Sequence, residues 1–320
     1  VRAIRITGAR TARVVTVDPP RPAPGELIVT VAAAAICSTD RKLTSRGELR
    51  GRTLGHEAAG HLPDGTPVGV HPDTGCGHCA ACRAGYTNRC PDKQSIGIDR
   101  DGGFAGLVSV MEAHVVPLEG VPVEMAPLLE PLACCLHAIH RVGLFSGPAV
   151  VVGAGAMGML TTWALQAMDH TVAVSQATAS RREQAAGLGA DAVMSPDEDP
   201  REVLGEEPSA VFVTAPGAEP LQWALERVAE GGAVHAFAGT PGGALVDANL
   251  VHYRHLNFVG STGSTLDDYR EARDMVQSSA IDLERLPHTR TDLDGAPQAL
   301  APAAETDALR VLIDIAGGDR

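Results

Sequence analysis

A chain of 320 residues, 44% hydrophobic and 20% charged, is globular and long enough for two domains. Its formal net charge of -13 and pI near 5.3 argue against nucleic acid as the main partner, because phosphate binding needs a positive field. No apolar run approaches the roughly 20 residues that span a bilayer, which excludes a membrane-spanning helix.

The opening residues lack the charged-then-apolar pattern of a signal peptide. The seven cysteines, four of them in one metal-like pattern, suit a reducing compartment, so the expected location is the cytoplasm. Residues 1–36 read as short strands broken by turns. Val14 to Val17 stops at Asp18-Pro19-Pro20, and a turn from Pro22 to Gly25 precedes a strand from Glu26 to Val31. That strand opens the longest early apolar run, Leu27 to Ile36. Residues 51–120 carry Gly and Pro every few positions with little helical periodicity, so the first third is an irregular β region.

Inside that region, Cys76, Cys79, Cys82 and Cys90 fall at spacing C-x2-C-x2-C-x7-C. Such spacing brings four thiolates to one point, a donor set that satisfies tetrahedral Zn²⁺. The run is glycine-rich and polar, which disfavours both core thiols and disulfides. A four-cysteine zinc serves either as a nucleic-acid-binding knuckle or as a staple, so this motif alone leaves the function open.

The texture changes near Pro131. Leu132 to Gly143 reads as a helix and Ala149 to Val152 as a strand. Gly153-Ala154-Gly155-Ala156-Met157-Gly158 follows, then an apolar helix from Met159 to Met168. Further strands are predicted at Thr171 to Val174, Ala192 to Met194, Ala210 to Val213 and Ala233 to Phe237. Helices are predicted at Arg181 to Leu188 and Pro220 to Val228. Repeated βα units make the fold class α/β, with a doubly wound parallel sheet. From Tyr269 the chain reads as helical and loop-like, closing on a strand from Ala308 to Ile313.

A G-x-G-x-x-G that leaves a β-branched strand and opens a helix is the setting of a dinucleotide site. Its glycines allow a tight turn and close approach to a pyrophosphate at the helix N-terminus. Gly153, Gly155, Ala156, Met157 and Gly158 are therefore cofactor candidates. In NAD-binding sheets the second strand ends in an acid that grips the ribose 2′-hydroxyl. Here it ends Val174-Ser175-Gln176, with Arg181 and Arg182 following. A missing acid and nearby arginines favour a 2′-phosphate, so Ser175, Gln176 and Arg181 point to NADP over NAD. The plainer reading is two solvated arginines on the next helix.

Three quieter motifs are unremarkable singly: Cys37-Ser38-Thr39-Asp40, Gly55-His56-Glu57 with Gly60, and Glu130-Pro131-Leu132. In this order, with the four-cysteine loop, Gly102-Gly103-Phe104-Ala105 and the glycine run, the chain resembles the zinc-dependent medium-chain dehydrogenase/reductase family. The resemblance is to its alcohol, sorbitol and threonine dehydrogenase group and covers essentially the whole length. It implies a GroES-like catalytic β domain over residues 1–132, a Rossmann domain over 133–271 and a C-terminal return to the first domain over 272–320. Substrate is expected in the cleft between the domains.

Carried over residue by residue, the resemblance makes Cys37 and His56 catalytic zinc ligands. Glu130 stands where the polyol-dehydrogenase branch places a Glu and alcohol dehydrogenases proper a Cys. Glu57 matches an acid that ligates zinc directly or sits behind it, and Asp40 one that orients the ligand histidine. Cys76, Cys79, Cys82 and Cys90 match structural zinc ligands, giving two Zn²⁺ per chain. Thr39 is expected to accept the alcohol proton, and Thr262 to meet the nicotinamide. Lys42 replaces a relay histidine, so the relay ends at water or the cofactor ribose. Phe104 is either a wall of the nicotinamide site or a core aromatic. His288-Thr289-Arg290 resembles a stretch near the cofactor. Cys134 and Cys135 read as small buried hydrophobes, and His71, His78, His137 and His140 as structural histidines.

The implied activity is hydride transfer between NAD(P) and a secondary alcohol or ketone, polyol-, sugar- or cyclitol-like, in a homodimer or homotetramer. One rival is a zinc-knuckle binding protein on an unrelated α/β domain. Another is a non-catalytic NAD(P) sensor on the same fold.

Overall fold

The computed structural model describes residues 1–301 and 308–315. The chain divides into two compact units, Val1–Ala133 with the stretch from Ser264 onward, and Cys134–Gly263.

The first unit is built on the strand Glu26–Ile36, whose second half is a run of buried alanines. Small side chains let neighbouring elements pack closely on both sides of it. Its seven-stranded sheet runs His288–Asp292, Arg310–Asp314, Glu26–Ile36, Glu57–His61, Pro67–Val70, Val115–Pro117, with Leu107–Met111 pairing the other half of the long strand. The antiparallel register sets Ala35 opposite Glu57 and Ile36 opposite Val311. That register delivers an acid and the strand carrying Arg310 to the end of the long strand where Cys37 follows. With few aromatics available, the core is mostly aliphatic, filled by Ile4, Ile6, Val29, Leu54, Val68 and Ile313 around the buried ring of Phe104.

Two elements here depart from the expectation. Ser38–Arg46 is a helix that periodicity does not announce, because Leu43 is its one large apolar residue. Its signals are local: a Cys37/Asp40 capping box at the start and Gly47 in the left-handed region (φ 66°) at the end. His288–Asp292 is a strand where helix and loop were expected. Its polar sequence shows no apolar alternation because it is a largely exposed edge, held by parallel pairing to Arg310–Asp314.

The second unit is a six-stranded sheet in the order Ala192–Met194, Val172–Ser175, Ala149–Val152, Ala210–Val213, Ala233–Ala236, Asn257–Gly260. Every pair is parallel. The four strands from Val172–Ser175 to Ala233–Ala236 are almost wholly buried, as their unbroken apolar runs require. Helices Ala156–Ala167, Ala179–Gly187, Pro200–Leu204, Ala218–Arg227 and Ala248–Tyr253 fill the crossovers. The strand order reverses at Ala149–Val152, the switch point at which such sheets bind nucleotides.

The helix predicted from Leu132 begins earlier, at Leu129, so Glu130 lies in its first turn rather than before it. Pro131 is tolerated there because first-turn N–H groups have no intrahelical acceptor.

Candidate functional site

Cys37 caps the helix Ser38–Arg46 with its sulfur, which accepts the N–H of Thr39 at 3.1 Å. In return, Asp40 Oδ2 accepts the Cys37 N–H at 3.0 Å. His56 is buried, with Nε2 3.2 Å from Cys37 Sγ and Nδ1 3.6 Å from Asp40 Oδ1. Two bonds from a tetrahedral zinc to sulfur and nitrogen would set those atoms about 3.5 Å apart. Gly55 is held at φ 98°, and a Cβ there would lie 2.4 Å from the Phe104 ring, so only glycine lets this turn deliver His56. Phe104 therefore belongs to the core behind the histidine.

Glu57 is 1% exposed. Burial pushes its carboxyl up to about 8, with Arg310 acting to lower it and Glu130 to raise it further. Cys37, His56 and Glu57 offer ligand atoms within 4.8 Å of one another. Glu130 is buried and outside that trio, near enough for its charge to act on Glu57 and Tyr269. Thr39 is half-buried beside Cys37.

The donor set fits zinc. Burial alone would lower the His56 pKa, yet the Cys37 thiolate and the Asp40 carboxylate raise it well above its ordinary value. The pocket draws positive charge to the point between sulfur and imidazole. Glu57 Oε2 is buried without a hydrogen-bond partner, as a ligand atom would be, while His56 Nδ1 and Asp40 Oδ1 face each other at 3.6 Å as an ion pair.

Arg310 is the residue that sequence reading missed. It is buried, and its Nη2 lies 3.2 Å from Glu57 Oε1. Its charge also faces Cys37, Glu130 and Asp40. The sequence offered little signal, because Arg310 opens the strand Arg310–Asp314 and reads like any strand-end charge until its burial is seen.

The four sulfurs of Cys76, Cys79, Cys82 and Cys90 lie within 4.8 Å of one another, and all seven cysteines of the chain are free thiols. Backbone N–H groups of His78 and Cys79 draw the Cys76 thiol down to about 6, while burial pushes Cys82 up to about 12. Four converging sulfurs without a counter-charge cannot all ionise, and a divalent cation resolves that conflict.

In the second unit, Gly153-Ala154-Gly155 turns from the strand Ala149–Val152 into the helix Ala156–Ala167. Gly155 caps the helix with no side-chain bond, leaving its first N–H groups open to an anion. A Cβ on Gly158 would stand 1.8 Å from the Gly153 carbonyl oxygen, so the helix can pack this close to the strand only through glycine. Ala156 and Met157 are half-buried in its first turn. Gln176 Oε1 accepts the Ala154 N–H at 3.0 Å, tying the second strand to this turn. Ser175 is buried in the sheet, and Thr262 is exposed past the last strand. Arg181 bonds Gln184, and Arg182 is not a solvated side chain: it donates to the carbonyls of Gln176 and Ala177.

Comparison with known proteins agrees with this geometry. Residues 23–120 match the alcohol dehydrogenase GroES-like domain, and residues 156–278 the zinc-binding dehydrogenase domain. L-threonine 3-dehydrogenase of Pyrococcus horikoshii is 32% identical over 308 residues, 85% of this chain and 86% of its own length. L-galactonate-5-dehydrogenase of Escherichia coli K12 is 33% identical over 181 residues, 52% of this chain and 53% of that protein. A solved structure from Sinorhizobium meliloti 1021 bound to NADP, provisionally described as a zinc-binding dehydrogenase, matches at TM-score 0.87 and 30% identity over 98% of each chain. A GroES-like β unit followed by a parallel nucleotide-type sheet defines a class of oxidoreductase. The chain belongs to the zinc-dependent medium-chain dehydrogenase family, and it is a nicotinamide-linked oxidoreductase of secondary alcohols. That assignment disfavours the zinc-knuckle reading and the non-catalytic sensor.

Proposed function

We propose that the protein oxidises a polyol-like secondary alcohol, a sugar, sugar acid or cyclitol, using two zinc ions per chain and NADP in preference to NAD. The observation that carries this reading is the buried trio Cys37, His56 and Glu57 with ligand atoms within 4.8 Å. Thiolate, imidazole and carboxylate together suit a borderline-soft ion with one position left for substrate. Cys37, His56 and Glu57 would hold the catalytic zinc, with Glu130 the second carboxylate at hand. Cys76, Cys79, Cys82 and Cys90 would hold the structural one.

When bound, the catalytic zinc supplies a Lewis acid that stabilises negative charge on the substrate oxygen. The nicotinamide supplies the hydride acceptor. The chain's own groups do the rest. Asp40 orients His56 through Nδ1, Arg310 balances the Glu57 charge, and the Thr39 hydroxyl takes the alcohol proton toward solvent. Lys42 is exposed and offers the relay no further buried step.

The cofactor preference rests on Gln176. With its carbonyl end committed to Ala154, its amide end is a hydrogen-bond donor, suited to a phosphate acceptor. An acid at that position would repel the phosphate. The likeness to an NADP-bound structure supports the same choice.

The polyol-like substrate is supported by the carboxylate-rich ligand set and by relatives named for threonine and L-galactonate. A homodimer or homotetramer is supported by the edge strand Asn257–Gly260, which is largely exposed and carries Phe258 at the surface. Cytoplasmic residence is supported by the seven free thiols. Among the described residues no helix is long and apolar enough to cross a membrane.

A cofactor-reduction screen over secondary alcohols, polyols and amino-cyclitols, with NAD and NADP in parallel, tests this reading. The expected result is turnover on a polyol-like compound, at least tenfold faster per unit concentration with NADP. Turnover confined to primary alcohols, or a tenfold preference for NAD, contradicts it.

A further inference from the structure

We propose that His235 is a positioning residue for the nicotinamide end of the cofactor cradle, acting through Ser261; this rests on the cofactor reading above. His235 lies in the strand Ala233–Ala236, fully buried, in register with Phe212 on the neighbouring strand. The rings of Phe212 and Phe237 stand 6.0 and 5.8 Å from its own. Such a position calls for valine or leucine. The imidazole has one hydrogen bond there, Nε2 to Ser261 Oγ at 3.0 Å, and its Nδ1 has no partner.

A buried polar group with an unmet atom costs stability that a hydrocarbon would not, so the histidine is not explained by packing. Burial, helped by His137 and Arg141 nearby, holds its pKa down at about 4, so the ring is neutral at working pH. It can therefore exchange a simple hydrogen bond with a hydroxyl without bringing a charge into the sheet.

The partner's place gives the bond its meaning. Ser261 is the first residue after the last strand, Asn257–Gly260, at the carboxyl end of the parallel sheet. The glycine turn leaves Ala149–Val152, and Gln176 follows Val172–Ser175 on one side of it. A dinucleotide that sets its adenosine over Gln176 must run its other half across the switch point, toward the strands that end at Ala236 and Gly260. Ser261 and the exposed Thr262 begin the loop waiting there. Among the described residues Asn257–Gly260 pairs with one strand of its own chain, and His235 gives the loop behind it a side-chain anchor.

The test uses the whole protein with native zinc and compares His235→Leu, Ser261→Ala, the double variant and His235→Gln. Affinities are measured for the nicotinamide cofactor and for ADP-ribose carrying the same 2′ group, which keeps the adenosine half and lacks nicotinamide. His235→Leu and Ser261→Ala should each weaken cofactor binding about fivefold, the worth of one hydrogen bond. The double variant should do no worse than either single one, since one bond is lost in all three. His235→Gln, which can still reach a hydroxyl, should recover most of the affinity. The ADP-ribose affinity should be unchanged in all four. Equal losses for cofactor and ADP-ribose, or no loss for either, overturn the proposal. A native protein that binds neither compound overturns the cofactor reading itself and takes the proposal with it.

Discussion

Arg310 and Glu57 form a buried ion pair at the edge of the trio Cys37, His56 and Glu57, each nearly without contact to water. A charge removed from such a pair leaves its partner uncompensated, at a cost of about 3–5 kcal/mol. Arg310→Leu should therefore lower unfolding free energy by that order, and Arg310→Leu with Glu57→Gln should recover part of it. Chemical denaturation of the three proteins measures both effects. Burial already favours the protonated Glu57, so zinc content should fall in the single variant, because without Arg310 the metal must displace a more firmly held proton. At this scale Cys37, His56 and Glu57 are unremarkable singly, and only the chain order of their motifs made them candidates. Arg310 was silent because its partner lies on a distant strand, and only the sheet register brings the two together.

Individual elements carry their own evidence. The strands of the parallel sheet were legible because burial on both faces demands unbroken apolar runs, as in Ala149–Val152 and Ala210–Val213. His288–Asp292 was not, since its structure comes from a neighbour rather than from its own pattern. The four-cysteine lobe was the loudest motif, and it is separate from the trio of Cys37, His56 and Glu57. Cys79→Ser should lose one of two zincs and lower the thermal midpoint by about 5 °C or more, with turnover per folded molecule retained. Metal analysis beside a melting curve checks it.

A second element-scale prediction concerns acid. His71 follows the strand Pro67–Val70 and is buried, with Nε2 facing the Ser264 carbonyl at 3.2 Å. A carbonyl only accepts, so Nε2 carries the proton and Nδ1 accepts from His114 Nδ1–H at 3.0 Å. Burial, with His114 adding to it, holds His71 down at about 4 although Asp73 and Asp268 pull the other way, and burial lowers His114 too. The unfolded chain therefore binds more protons than the folded one between roughly pH 6.5 and 4. Stability is full above that window and falls through it, by up to about 3 kcal/mol from His71. His71→Asn should flatten the fall in a series of urea midpoints across that range. An undiminished slope would locate the acid sensitivity elsewhere.

For the whole molecule, the central claim is that a quiet trio near Cys37 carries the reaction while the four-cysteine lobe is structural. The chain order of motifs supports the family, and the family is the ground for proposing the two metal sets together. The measurement that tests this most directly pairs zinc content with turnover in native protein and Cys37→Ser, cofactor binding being followed in the same samples. The account predicts two zincs and alcohol-dependent cofactor reduction in the native protein. It predicts one zinc, intact cofactor binding and at least a thousandfold loss of turnover in the variant, as expected when a Lewis-acid site is lost. Two zincs with undiminished turnover in Cys37→Ser would contradict it.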